Sequence, residues 1–176
     1  MTAFAEAHAG VTQLHARFVD AVWRQDDTAF SECFARDGVW KIAGRVIGGP
    51  ENPDPALRGR AAIAEACRMM LGRCSHIQLL VQPTIVELMG EGTAIGRHHM
   101  VEMARMLDGS TAMTIGIYHD RFVEEDGRWR YLNRHWAMQY RGPFDLTGAF
   151  TSGFDYGAFP AMPATDAPTY VRPAGS

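Results

Sequence analysis

Long apolar runs are missing from this chain. No window approaches the ~18 consecutive apolar residues of a membrane-spanning helix, so no membrane partner is expected. Met1 to Gly10 lacks the basic start and the apolar stretch of a secretory signal, which makes the cytoplasm the expected compartment. An excess of positive charge is missing too. A net charge of -3, with no clustered basic face, excludes an electrostatic footprint for nucleic acid. Cysteine is scarce: Cys33, Cys67 and Cys74 are odd in number and irregular in spacing, which argues against a disulfide framework and matches no zinc pattern. Cys67 falls on an apolar helical stripe with nothing nearby in sequence to activate a thiol, and reads as a buried, inert side chain.

What is present suits one ordinary globular domain: 176 residues, 47% hydrophobic and 21% charged, enough to bury a core. Val11, Leu14, Phe18, Val22 and Trp23 recur at helical spacing, with Thr12 a candidate cap unless the helix already runs from Ala3. Asp27 can cap a second short helix ending at Cys33 or Phe34. After the Asp37-Gly38 turn, Val39 to Ile42 begins a strand, and Arg45-Val46-Ile47 is expected to pair back as a hairpin. Gly48 to Pro55 is a loop that could serve as a lid, and a third helix follows Arg58-Gly59-Arg60 through Leu71.

Everything from His76 to Tyr140 reads as strand. The runs 76–88, 93–107, 111–125 and 128–140 are rich in β-branched and aromatic residues, and each connector carries a glycine suited to a tight hairpin. Three helices followed by long antiparallel strands give an α+β fold with the helices on one face of the sheet. The domain is expected to span residues 1–142. Residues 143–176 form a Gly/Pro/aromatic extension expected to pack on the domain or on a partner subunit, with a loose end.

Strands this long must coil, and the concave face of a coiled sheet can be closed into a pocket. Period-two alternation decides which side chains enter. Adjacent His98 and His99 must face opposite ways, and the sequence does not say which enters. In the last strand Arg130, Leu132, Arg134, Trp136 and Met138 share one face, and Tyr131, Asn133, His135 and Ala137 the other. Histidine suits proton transfer near neutrality. His76, His98, His99, His119 and His135 lack metal-ligand spacing, so neither metal nor cofactor is expected. An arginine in an apolar pocket is costly unless paired, so Arg134 should contact Asp120, a substrate oxygen or the tail. Met69, Met70, Met100, Met103, Met106 and Met113 suit either an adaptable lining or ordinary core filling.

Phe34 to Trp40, Leu57 to Ile63, Ser75-His76, Gly116 to Asp120, and Asp126 to Arg130 with Arg134 together resemble the SnoaL-like branch of the nuclear-transport-factor-2-like superfamily, in the family's order over residues 10 to 140. The resemblance implies a curved antiparallel sheet forming a cone closed by about three helices, usually dimeric, and a homodimer or homotrimer is expected here. The motifs are most similar to scytalone dehydratase-like and bile-acid dehydratase-like proteins, which eliminate without a cofactor through a histidine at the start of the first long strand. His76 matches that histidine, and Arg134 matches an arginine of the last strand. A tyrosine and an aspartate usually stand where this chain has Phe18 and Trp23, so the pocket is expected to be more aromatic and less acidic. Relatives that remove formaldehyde from lignin-derived aromatic dimers show one direction such a change can take; loss of catalysis is another.

Candidate catalytic residues are therefore His76, Arg134, His99 and Tyr118. Candidate substrate-binding residues are Phe18, Trp23, Trp40, His98, Asp120, Trp136 and Tyr140. The leading expectation is a cofactor-independent lyase that eliminates water or formaldehyde from a hydrophobic aromatic or polycyclic alcohol. An isomerase or cyclase of a polyketide or steroid-like substrate, and a non-catalytic binding module for an apolar ligand, are the alternatives.

Overall fold

The computed structural model describes residues 2–42 and 56–150. The expected hairpin at 45–47, the candidate lid at 48–55 and the extension beyond 150 lie outside them.

Helix α1 runs from Ala3 to Trp23, its N-cap supplied by Thr2, whose hydroxyl accepts from the Ala5 N–H. Thr12 therefore lies mid-helix and donates to the His8 carbonyl instead of capping. Asp26, not Asp27, caps α2 (Asp27–Glu32), accepting from Ala29 N at 2.8 Å. Strand β1 (Phe34–Ile42) pairs with the short β2 (Ala56–Arg58), which leads directly into α3 (Gly59–Leu71).

The run 76–88 is two strands, β3 (Cys74–Val81) and β4 (Ile85–Gly90), separated at Gln82-Pro83-Thr84. Pro83 has no N–H for a ladder, so the chain breaks there. Both segments pair with the long β5 (Thr93–Met106), which continues through β6 (Thr111–Glu125) and β7 (Arg128–Gly142). Asp126 and Gly127 both take positive φ, 55° and 68°, the twist a two-residue hairpin requires. A short β8 (Ala149–Phe150) pairs back onto β7.

The sheet order is β2-β1-β7-β6-β5-β3, with β4 also on β5 and β8 on β7. It is antiparallel except for the parallel β1–β7 pair. The helices pack on the concave face, where Val11, Leu14, Phe18 and Val22 of α1 meet Ile63, Cys67 and Leu71 of α3 and the aromatic residues of the sheet.

Register orders that face into cross-strand rows. Gly96, Asp120 and Arg134 form one row, His98, Tyr118 and Trp136 the next, then Met100, Gly116 and Met138, then Glu102, Thr114 and Arg141. Directly opposed residues in an antiparallel ladder project to the same side, and successive rows stand about 7 Å apart. Gly116 leaves room for the Trp136 ring: a Cβ there would lie 2.5 Å from it.

Three bulges in the β3–β5 and β6–β7 ladders interrupt strict alternation. Between Cys74 and His76 the β3–β5 register slips by one residue, and β7 carries extra residues at Leu132 and Gln139 against β6. A bulge places two residues opposite one, so everything beyond it changes face relative to a period-two count.

Candidate active site

The upper rows of the concave face enclose a cavity of about 170 Å³ between the sheet, α1 and α3. Its walls are apolar and aromatic: Phe18, Phe30, Trp40, Ile77, Met100 and Trp136 are among them. Apart from its cysteines, the polar side chains that reach it are Glu102, Thr114 and Tyr118, with Arg73 and Arg141. Glu102 is half-buried. Burial holds its carboxyl above the usual range, and the positive charge of Arg141 partly opposes this. Tyr118 is buried, and burial pushes its phenol up to about 12, so it remains a protonated donor at any ordinary pH. The indole N–H of Trp40 is buried without a hydrogen-bond acceptor among the described residues, an arrangement that costs free energy until an acceptor arrives.

Beneath Phe18 and Tyr118 lies a second, buried layer. The Arg134 guanidinium sits 3.5 Å from the Tyr118 ring centroid, 4.0 Å from that of Tyr131 and 4.3 Å from that of Phe18. Arg134 Nη1 donates to Asp120 Oδ2 at 3.0 Å, and Nη2 lies 3.3 Å from His98 Nε2. A guanidinium can only donate, so His98 Nε2 accepts and its proton sits on Nδ1, 3.7 Å from Asp120 Oδ2. His15 completes the group: its Nε2 is also 3.7 Å from Asp120 Oδ2, and its Nδ1 is 2.8 Å from the Thr84 hydroxyl. Asp120 is thus the hub of a buried cluster with one negative and one positive charge and two neutral imidazoles. Burial lowers the affinity of both histidines for a proton, of His98 far below the ordinary value, and Arg134 reinforces this in each.

His15, His98 and Asp120 also bring metal-capable atoms within 4.8 Å of one another. Arg134 already supplies the cation to this group. A divalent ion would add two positive charges in the interior with no further anion to balance them, so these residues do not fit a metal.

The structure separates the candidate residues read from the sequence. Phe18, Trp40, Tyr118 and Trp136 line the cavity, while His98, Asp120 and Arg134 lie in the layer beneath it. His76 is exposed, because the bulge at Ser75 turns it outward and leaves Cys74, Ile77 and Leu79 facing in. His99 is exposed on the opposite face from His98. Trp23 is 59% exposed and borders an outer groove beside β3, not the cavity. Tyr140 is excluded by the bulge at Gln139, which brings Arg141 inward; its hydroxyl donates to the Pro143 carbonyl and accepts from Gly148 N. The bulge at Leu132 moves Tyr131 to the concave face, against the alternation expected.

Sequence reading missed Glu102 and His15. Both carry a signal: Glu102 is an acid in phase with His98, Met100 and Ala104, and His15 sits on the apolar stripe of α1 between Val11 and Phe18. The cysteines are buried and free, with burial pushing Cys33 to about 11 and Cys67 to about 12.

The histidines give stability a sign with pH. His15, His98 and His135 all have folded affinities for a proton below the ordinary 6.5, His135 at about 4 through burial and then the charges of Lys41 and His119. Below 6.5 the unfolded chain binds protons that the folded chain does not, so stability falls as pH falls. Urea unfolding midpoints should decline from about pH 7 to about pH 5. A flat profile would mean that these rings are protonated in place.

Residues 3–135 match the SnoaL-like domain family. A comparison with curated proteins finds no match. Among solved structures, a function-unknown protein from Mycobacterium tuberculosis is similar at 24% identity and a TM-score of 0.62, covering 74% of each chain. The type 3 hexachlorocyclohexane dehydrochlorinase LinA from Novosphingobium barchaimii shares 14% identity at a TM-score of 0.66, with 84% of this chain and 94% of that one covered. A candidate scytalone dehydratase from Novosphingobium aromaticivorans shares 14% identity at 0.67, with 81% and 90% covered. At these identities the structural likeness establishes the cone fold alone. No helix among the described residues is long and apolar enough to cross a membrane. With the match spanning most of its length, the chain belongs to the SnoaL-like domain family.

Proposed function

We propose that the protein is a small-molecule lyase working by general acid–base catalysis, with Glu102 as the base. The observation that carries this reading is a single carboxyl group on the wall of a mainly apolar cavity, with its proton affinity raised by burial. A carboxyl so placed is a stronger base than one in water. Tyr118 and the Trp40 indole are the donors available to a substrate oxygen.

In a dehydration Glu102 takes a proton from carbon, and that electron pair forms the double bond. The neighbouring C–O bond breaks, and the leaving hydroxyl takes a proton from Tyr118. For formaldehyde loss Glu102 takes the proton of a hydroxymethyl O–H, the C–C bond breaks, its electron pair passes into a conjugated carbonyl or quinone methide of the substrate, and the oxyanion formed takes a proton from Tyr118. Arg134 supports Tyr118 from below. Its charge favours the phenolate that forms when Tyr118 gives up its proton, and Asp120 keeps that guanidinium in place.

The cavity size narrows the substrate. An engineered apolar cavity of about 150 Å³ accepts benzene, so about 170 Å³ suits one ring with short substituents better than a steroid skeleton. The isomerase reading remains the competitor, since a lone carboxyl can return the same proton to another carbon. Tyr118, a second proton source in the same cavity, favours elimination. Mass spectrometry after incubation with single-ring aromatic alcohols distinguishes them. A product lighter by one water or one formaldehyde is expected. Products of unchanged mass would replace the lyase reading with an isomerase, and no product at all would oppose both.

A further inference from the structure

The cavity contains two guanidinium groups that the proposed chemistry does not use. Arg73 follows α3 at the start of β3, where its carbonyl accepts from Leu107 N, and Arg141 stands near the end of β7. Both are exposed, yet both line the same cavity, at the end where Met106 and Ala112 close its wall. Neither forms an ion pair or side-chain hydrogen bond among the described residues. Arg24, Arg36, Arg60, Arg68, Arg130 and Arg134 are each engaged by a carboxylate, whereas Arg17, Arg105, Arg121 and Arg128 form no ion pair among the described residues but do not line this cavity.

An unpaired arginine on a surface is ordinary. Two that line one mainly apolar cavity are a different matter, because a ligand held there has both within its surroundings. The register fixes one of them. Glu102, Thr114 and Arg141 are directly opposed on three adjacent strands, so Arg141 is brought in by the Gln139 bulge to the row that holds the proposed base. Neighbouring strands lie about 4.8 Å apart, which sets the backbone of Arg141 about 10 Å from that of Glu102, within reach of one small molecule.

We infer that the pocket takes a single-ring carboxylic acid, its ring in the apolar cavity and its carboxylate held at the rim by Arg73 and Arg141. This inference rests on the reading of the cavity as a substrate pocket and adds the chemical class of the substrate. Guanidinium groups bind carboxylates by charge-assisted, often bidentate hydrogen bonds, while an ester or amide of the same shape forfeits the charge. A ligand anchored at the rim would lie along the row of Glu102, with its ring directed toward Tyr118 and Trp136.

Binding can be tested without turnover, by calorimetry with matched probes: benzoate against methyl benzoate, and cinnamate against methyl cinnamate and cinnamamide. The acids are expected to bind at least tenfold tighter than their neutral counterparts and to weaken as salt is raised. Arg73→Gln and Arg141→Gln should each remove most of that preference while leaving the neutral probes unchanged. Both positions are exposed, so folding should survive, and circular dichroism with an unfolding curve checks it. Equal affinity for acid and ester, retention of the preference in both variants, or no binding of any acid at millimolar concentration would overturn the inference. The two readings fail separately. Loss of turnover in Glu102→Gln with no preference for acids would leave the catalytic reading standing alone, and the reverse outcome would leave only the anion site.

Discussion

Glu102→Gln is expected to lower turnover by about two to four orders of magnitude, the usual contribution of a positioned general base, while His76→Ala changes it little. The amide keeps the size and hydrogen-bonding shape of the carboxyl and removes only its basicity, so substrate affinity should change far less than turnover. His76 is the natural choice from motif position, but its ring projects to solvent on the far side of the ladder, with the Ser75 bulge between it and the cavity. The paired variants, assayed on whichever compound turns over, therefore oppose two assignments of the same proton transfer. Loss of activity in His76→Ala with Glu102→Gln active would reverse the assignment.

The largest effect on stability is expected at Asp120. Its carboxylate is fully buried and receives Arg134 at 3.0 Å with the two imidazoles at 3.7 Å. Asp120→Ala leaves the Arg134 charge in the interior with no anion, which typically costs about 3–5 kcal/mol. For a chain of this length that is a fall of about 6–20 °C in unfolding temperature. A second variant separates the loss of a pair from the loss of a side chain. Replacing both members, Asp120→Leu with Arg134→Met, should recover much of the stability, because apolar replacement of a buried pair is often neutral. It should not recover function, since Tyr118 would lose the cation stacked beneath it. A cost below about 1 kcal/mol for Asp120→Ala would mean that water already solvates Arg134.

The same cluster shows how far the sequence could be read. Strand positions, hairpin glycines and the three helices follow from periodicity and turn chemistry, which are local. The Arg134 and Asp120 pairing was accessible because a buried guanidinium demands an anion. What could not be read is where the ladder slips. A bulge is set by how two strands meet, and nothing in Ser75, Leu132 or Gln139 alone announces one. Each slip exchanged one assignment for its neighbour: His76 went out, Tyr131 came in, and Arg141 took the place of Tyr140. Between His98 and His99, where no bulge intervenes, alternation was right and only the choice of face was missing. Glu102 was legible by its phase with His98 and Met100, but a lone acid among β-strand residues looks like a solvated face until the helices are seen to cover it.

The proposed chemistry depends on the protonation of one side chain, and this can be followed before any substrate is known. Carbon-13 NMR of protein labelled at the glutamate carboxyl, titrated across the acid range, reports each Glu separately. One carboxyl is predicted to titrate above the ordinary 4.5, to vanish from the spectrum in Glu102→Gln, and to shift when an aromatic ligand fills the cavity. A Glu102 that titrates at or below that value and ignores the ligand would contradict its placement as the base of the pocket.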